Sequence, residues 1–347
     1  SGRFPAAAGV LARNLDSEQF SAGEDRYRVD TLVKHDAADF DSVRAAMNQG
    51  QGYIYHLAEG VDRPAMAEEW RLADDGDVIR QRLVAIHGTG LSKTELGRLA
   101  DVGATLVWSP FSNLWLYGAT ADIITARSTG LRLCLGSDWA PSGTRNVLGE
   151  LKVASLWNED PAAFYHPDVT VPPVPPEVFA DRDLCDLVTR NPGDAVALVY
   201  GPQIGRIQAG YLADLILVRA RRADAYRNLI EAVEADVELV MIGGEARCGT
   251  AALMTAAGTK GSTVVSVKVA DKVHKRKVLI RNPRDSSQTM TWTAVVNRLK
   301  AVRKDPGAAE QEIAQALAMA GGNQDGLFIV EGDMPFGDPG PAAFAGP

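Results

Sequence analysis

Short apolar runs recur along the first half of the chain, separated by stretches in which apolar positions return every three or four residues. The runs are Tyr27–Val33, 52–57, Leu83–His87, 104–108 and 131–137. Bounded runs of this length predict strands buried on both faces, and the longer spacing between them predicts helices. Those helices fall at 41–48, 64–72, 92–101, 119–129 and 145–158. Ser92 with Glu95 three residues on is a capping-box signature for the third of them. Strands alternating with helices predict βα units and a parallel sheet.

The ends of these runs carry the candidate chemistry. His56 closes one run, and Glu59 follows three residues later. His87 closes the next, and Asp138 the last. Each residue has a bland reading. A lone histidine at a strand end is as often a hydrogen-bonded core residue, Glu59 could be a surface glutamate at a helix start, and Asp138 could cap the following helix. Together they point to one site built from the ends of several parallel strands. (β/α)8 barrels place their chemistry there.

Beyond residue 158 the pattern changes. Residues 159–177, with Val171-Pro-Pro-Val-Pro-Pro176, read as an extended loop, followed by helices at 180–190 and 193–200. From Gly201 the texture is that of a small β layer, with strands at Ala213–Arg219 and Val237–Ile242. Short strands are expected at Val264–Val269 and Lys277–Ile280, and helices at 292–302 and 308–320. The Gly/Pro-rich stretch from Gly332 to Pro347 reads as loose. The expected division is a barrel portion over 1–200, a β layer over 201–254 and a C-terminal extension over 255–347.

Composition narrows the function classes. The chain has 347 residues, 46% of them hydrophobic, enough for a sizeable core. A net charge of −8 disfavours the basic footprint that nucleic-acid binding needs. Three scattered cysteines, Cys134, Cys185 and Cys248, show neither a disulfide framework nor zinc-type spacing, which suggests a reducing compartment, the cytoplasm. Cys134 lies within an apolar run and reads as core.

Taken in order, His56-Leu-Ala-Glu59, Ile86-His87-Gly88, Trp108-Ser-Pro-Phe-Ser-Asn113, Gly136-Ser-Asp138, Thr189-Arg-Asn-Pro192 and Gly205-Arg-Ile-Gln-Ala-Gly210 resemble the amidohydrolase superfamily. The likeness is to the branch of chlorohydrolases and aminohydrolases that includes cytosine and guanine deaminases. It runs from about residue 8 to 250. The resemblance implies a TIM-type (β/α)8 barrel with a small β-sandwich layer. It also implies a metal-dependent hydrolase that attacks a C–N or C–Cl bond of a small molecule with activated water, of the deaminase or amidohydrolase type.

By that resemblance His56 and Asp138 are metal ligands, with His87 a third in some relatives. Glu59 shuttles protons, and His87 and Asp138 take part in the chemistry. Ser109, Asn113 and Trp139 line the substrate pocket. For Trp108, Trp115 and Trp139, core or rim positions are equally open. One zinc ion is the expected cofactor, ahead of iron or a two-metal site. Lys34 stands near the place of the lysine that two-metal relatives carboxylate, but reads as a plain solvated lysine.

One departure stands out. The family opens its barrel with a His-x-His pair, and none of the five histidines, His35, His56, His87, His166 and His274, is so spaced. Only about five βα units are visible where a closed barrel has eight. These two observations predict a chain lacking the early barrel strands, or one that forms a homo-oligomer or pairs with a second polypeptide supplying them. They also support a rival expectation, a non-catalytic, degenerate barrel acting as a scaffold.

Overall fold

The computed structural model describes residues 26–30, 33–139, 141–164, 177–269, 272–282, 285–308 and 311. The chain divides into two compact units. The larger is Pro5–Met290; the smaller comprises Ser1–Phe4 and Thr291–Pro347.

In the larger unit the expected βα alternation is present. Strands β1 (Tyr27–Asp30), β2 (Gly52–Leu57), β3 (Leu83–His87), β4 (Thr105–Trp108) and β5 (Arg132–Leu135) form a parallel sheet in chain order. Tyr53 pairs with Leu83, Val84 with Thr105, and Thr105 with Arg132, so neighbouring strands end at nearly one level. Five helices connect them: α1 (Asp41–Asn48), α2 (Arg63–Asp75), α3 (Lys93–Asp101), α4 (Pro110–Tyr117) and α5 (Ile123–Ser128). A sixth, α6 (Val147–Glu159), follows β5. This is the α/β, barrel-type arrangement expected from the pattern.

Local sequence sets several boundaries. Asp62 accepts the amide of Ala65 to start α2, and Ser92 and Glu95 form the expected capping box on α3. Asn146 caps α6. Helix α4 was not anticipated. Pro110 suits the first helical turn, and the segment runs from strand to helix across the single residue Ser109. The stretch anticipated as a helix over 119–129 is accordingly the shorter α5.

Both faces of the parallel sheet are covered, which is why its strands read as unbroken apolar runs. Tyr53, Tyr55, Leu57, Leu83, Ala85, Leu106, Trp108, Leu133 and Leu135 belong to the main core, with Phe40, Trp70, Leu96 and Trp157 from the helices. Ile54, Val84 and Val107 belong to a second cluster with Val196, Val199 and Tyr200. Those last three lie on α8 (Arg190–Tyr200), which follows α7 (Asp181–Asp186). Cys134 is buried, and burial pushes its thiol up to about 12, as suits a core residue.

A second, five-stranded sheet is antiparallel in every pairing: β6 (Leu215–Val218), β7 (Val237–Ile242), β8 (Glu245–Gly249), β9 (Thr263–Val269) and β10 (Lys272–Val278), ordered β6-β7-β8-β10-β9. Helices α9 (Ala225–Glu231) and α10 (Ala251–Ala256) lie within its connections. Strand β8 and the first half of β10 were not expected, and a hairpin of β11 (Ile280–Asn282) and β12 (Asp285–Met290) ends the unit. In the smaller unit the described residues form α11 (Trp292–Lys304), close to the expected 292–302. The expected loop over 159–177 opens with a 3-10 turn at Pro161–Phe164, while its prolines at 172–176, the loose tail and most of the helix at 308–320 lie outside the described residues.

Candidate metal centre

His56, His87 and Asp138 come from the ends of β2, β3 and β5. One ligand atom from each lies within 4.8 Å of the others. The backbone bends sharply to achieve this. His87 has φ +68° and Asp138 φ +55°, in the left-handed region that residues other than glycine rarely adopt. Ala58, between His56 and Glu59, has φ +52°. Strained non-glycine residues clustered at strand ends persist only where the surroundings over-determine them.

Those surroundings are visible. The Ala58 amide donates to the buried carboxylate of Glu69 at 3.0 Å. The Thr89 hydroxyl bridges the carbonyls of Ala58 and Gly60, each at 3.1 Å, and accepts the Gly60 amide at 3.0 Å. The loops after β2 and β3 are thereby tied together. After β5 the chain folds back so tightly that a Cβ on Gly143 would collide with the Ser137 carbonyl, so only glycine fits there.

Glu59 reaches the same point. Its Oε1 lies 3.3 Å from His87 Nε2 and accepts the Tyr117 hydroxyl at 2.7 Å. Asp138 Oδ2 lies 3.9 Å from the same nitrogen and accepts the Ser112 hydroxyl. His56 and His87 stand with ring centroids 5.3 Å apart. His56 Nδ1 is buried with no hydrogen-bond partner, and His87 Nε2 is also buried without a hydrogen bond of good geometry. A buried ring nitrogen left unpaired is costly unless something else satisfies it. Two imidazoles and a carboxylate facing one point are a donor set that a borderline divalent cation accepts.

Electrostatics follow from burial. The His87 ring is fully buried, and desolvation lowers its pKa below 6.5. The Glu59 and Asp138 carboxylates oppose that shift, and His56 adds to it. Burial raises the Tyr117 phenol, assisted by its bond to Glu59. Burial likewise raises Glu150 on α6, although Thr144 and the Phe111 amide donate to it at 2.6 and 2.8 Å. Glu150 thus anchors the start of α4 against the loop after β5.

The other candidates are distributed unevenly. Asn113 is fully buried, with its amide nitrogen 3.3 Å from His87 Nδ1. Ser109 is buried, and Trp139 is 54% exposed; neither side chain hydrogen-bonds to the cluster among the described residues. Lys34 pairs with Asp30 at 3.1 Å. His274 lies on β10, lining an apolar cavity of about 480 Å³, and His166 falls outside the described residues.

Sequence reading missed Tyr117, Ser112, Thr120 and Glu150. Ser112 stands inside the segment 108–113 that carries the resemblance. Tyr117 would have followed from recognising α4, since Pro110 just past an apolar run marks a helix start.

Residues 43–247 match the description "Amidohydrolase family". Among curated proteins, a 5-methylthioadenosine/S-adenosylhomocysteine deaminase of Pyrococcus furiosus is 31% identical over 153 residues, 44% of this chain and 33% of the relative. The protein of that name in Natronomonas pharaonis is 28% identical over 266 residues, 68% of this chain and 55% of the relative. The chain thus spans between a third and just over half of these relatives. Among solved structures, an adenosine deaminase of Xanthomonas campestris with bound zinc aligns at a TM-score of 0.52 and 22% identity, covering 67% of this chain and 55% of that one. A triazine hydrolase variant aligns at 0.53 and 21%, covering 70% and 57%. The family match extends over more than half of the chain and embraces every strand end of the cluster: the chain belongs to the amidohydrolase family.

Proposed function

We propose that this chain forms the catalytic strand ends of a metal-dependent hydrolase that cleaves a C–N bond of a small molecule, as deaminases and amidohydrolases do. The convergence of His56, His87 and Asp138 within 4.8 Å, with Glu59 beside them, is the observation that supports it most. The names of the relatives make an amino-substituted ring of the adenosine type the first substrate to try.

A divalent cation held by His56 and Asp138, with His87 adjoining, would lower the pKa of water toward neutrality and supply a nucleophile. Zinc fits the nitrogen and oxygen donors, and a solved relative carries it. Glu59 is suited to hold and pass a proton. One of its oxygens faces His87 Nε2 and is steadied by the Tyr117 hydroxyl, so the carboxylate is aimed before substrate arrives. Asp138 is fixed by the Ser112 hydroxyl and presents its Oδ2 on the same side. Trp139, exposed and next to Asp138 in the chain, is available to meet a planar ring, and buried Ser109 closes β4 behind the start of α4.

A catalytic zinc usually has three protein ligands. The described residues offer two or three, and we take a second copy of this chain or another polypeptide as candidate sources of any further donor that tight retention needs. Three free cysteines suit a reducing, cytoplasmic setting, and among the described residues no helix is long and apolar enough to cross a membrane.

The scaffold reading explains the cluster poorly. Four ionisable groups brought under cover, two of them on left-handed backbone, burden a barrel that has no chemistry to perform. The test is metal analysis of the intact protein together with ammonia release from adenosine-type substrates. Zinc bound and lost in His56→Ala, with ammonia released by the wild type alone, is expected. An intact protein that neither binds metal nor releases ammonia would return the reading to the scaffold.

A further inference from the structure

We infer that Trp108, Thr120 and Asn113 form a buried, directional hydrogen-bond relay that fixes the proton of His87 on Nε2, facing the cluster. These three are positioning residues, acting through His87. The inference rests on the proposed function for its catalytic meaning, but the relay itself is a property of the chain without metal.

Direction follows from the donor inventory. An indole N–H can only donate. Trp108 Nε1 donates to Thr120 Oγ1 at 2.7 Å, which occupies one lone pair of that hydroxyl. Thr120 is itself buried, and among the described residues its hydroxyl meets one acceptor, Asn113 Oδ1 at 3.4 Å. The Asn113 oxygen is thereby committed to Thr120. Its amide nitrogen, which can only donate, is left facing His87 Nδ1 at 3.3 Å. That ring nitrogen must accept. A neutral imidazole has one donor and one acceptor, so the proton sits on Nε2. The opposite amide orientation would aim two donors at Thr120 and leave its hydroxyl proton unpaired in the core, which is the costlier arrangement.

The relay is also well insulated. Trp108 and Asn113 are fully buried, and Trp108 packs edge-on against Trp157 with centroids 4.9 Å apart. Water has little access to compete, so each bond reinforces the next. A metal-ligating histidine characteristically donates its second N–H to a carboxylate or carbonyl, which leaves the ligating nitrogen a lone pair. His87 is held the other way: its second nitrogen meets a donor. The relay therefore sorts the three clustered residues. His56 and Asp138 keep free lone pairs for a cation, and His87 presents an N–H to whatever charge develops between it and Glu59. The residue order that encodes this is Trp108-x4-Asn113-x6-Thr120.

The test is long-range proton–nitrogen correlation NMR on the full chain, metal-free and labelled at histidine, with the His87 signals assigned by His87→Gln. In the wild type, His87 is expected as a neutral ring with its proton on Nε2. Asn113→Asp replaces the donor by an acceptor and should move that proton to Nδ1. Thr120→Val frees the Asn113 amide to turn and should produce a mixture of the two forms. A wild-type proton on Nδ1, or an Asn113→Asp protein that keeps it on Nε2, overturns the relay. If Asn113→Asp does not fold, the wild-type spectrum and Thr120→Val decide the matter alone.

Zinc titration supplies a second readout. His87→Gln keeps an N–H donor and should hold zinc within about threefold of the wild type, whereas His56→Ala should lose it by tenfold or more. A tenfold loss in His87→Gln would make His87 a ligand and overturn the sorting. Failure of the intact protein to bind zinc or release ammonia would count against the proposed function, while the tautomer result would still stand or fall by itself.

Discussion

At the ends of β2, β3 and β5 in the parallel sheet the ionisable side chains lie largely under cover. His87 is fully buried, and the Asp138 and Glu59 side chains are 16% and 25% exposed. Around the antiparallel sheet the pairs are more open: Arg219, just past β6, meets Glu238 on β7 at 3.2 Å, with side chains 46% and 34% exposed, although Arg247 on β8 is 12% exposed. The apolar side chains differ too. Leu106 on β4 is fully buried, whereas Ile216 and Leu217 on β6 are each 47% exposed. A sheet packed on both faces can keep water from its strand ends and so alter the chemistry of the groups there. An edge strand half exposed on both faces, like β6, leaves nearby charges such as Arg219 and Glu238 more solvated and with little leverage. The contrast teaches that burial of the strand ends, and not charge content, is what shifts the protonation of the groups placed there.

The sharpest way to break this comparison is Glu59→Gln. On the role proposed for Glu59, the change removes a proton carrier while keeping shape, so turnover of the intact protein should fall about 10²–10⁴-fold with metal content unchanged. Wild-type turnover would show that another group moves the proton.

Core truncation gives the next largest effect. Leu106→Ala on β4 should cost about 2–5 kcal/mol in denaturant unfolding. Leu217→Ala on the half-exposed edge strand β6 should cost less than about 0.5 kcal/mol. Equal losses would mean that both sheets carry the core alike.

The pH dependence of stability comes third. Burial raises the Glu150 carboxyl above its ordinary 4.5, so the folded chain holds that proton more tightly than the unfolded one. The stabilisation is complete below that ordinary value and is lost as pH rises through the raised folded value. Glu69 shifts in the same direction for the same cause. Unfolding midpoints measured from about pH 4 to pH 8 should fall less steeply in Glu150→Gln than in the wild type. Parallel curves would show that Glu150 does not contribute.

The smallest effect belongs to the exposed pair. Arg219→Ala should change stability by less than about 1 kcal/mol, and by less again at high salt. A larger loss would make the antiparallel sheet more dependent on its charges than its exposure allows.

The same contrast decided what could be read from sequence. Strands β2, β3 and β5 were legible because burial on both faces demands continuous apolar runs, and the ionisable residues that end those runs stood out. Helix α3 was legible through Ser92 and Glu95, a signal only three residues long. Strand β10 was anticipated only at its end, because Lys272-Val-His-Lys-Arg-Lys-Val278 reads as loop when half its side chains face solvent. Within the site, His56 and Glu59 were visible by spacing. The partners that orient them were not, since Tyr117 meets Glu59 across 58 positions and Ser112 meets Asp138 across 26. No local pattern reports a contact that only the folded sheet creates.

Left-handed backbone at His87 and Asp138 bears on how this protein would respond to selection. Each such residue costs on the order of 1–2 kcal/mol relative to an ordinary conformation, a cost that glycine would not incur. A screen that rewards folding alone would therefore favour glycine at His87 and Asp138, and its winners would be sturdier and, on the proposed function, inert. Ala58, equally left-handed but without an ionisable side chain, is the place where the same relief could be taken without loss. Laboratory improvement of this scaffold would need activity as a counter-selection at two positions and could leave the third to stability.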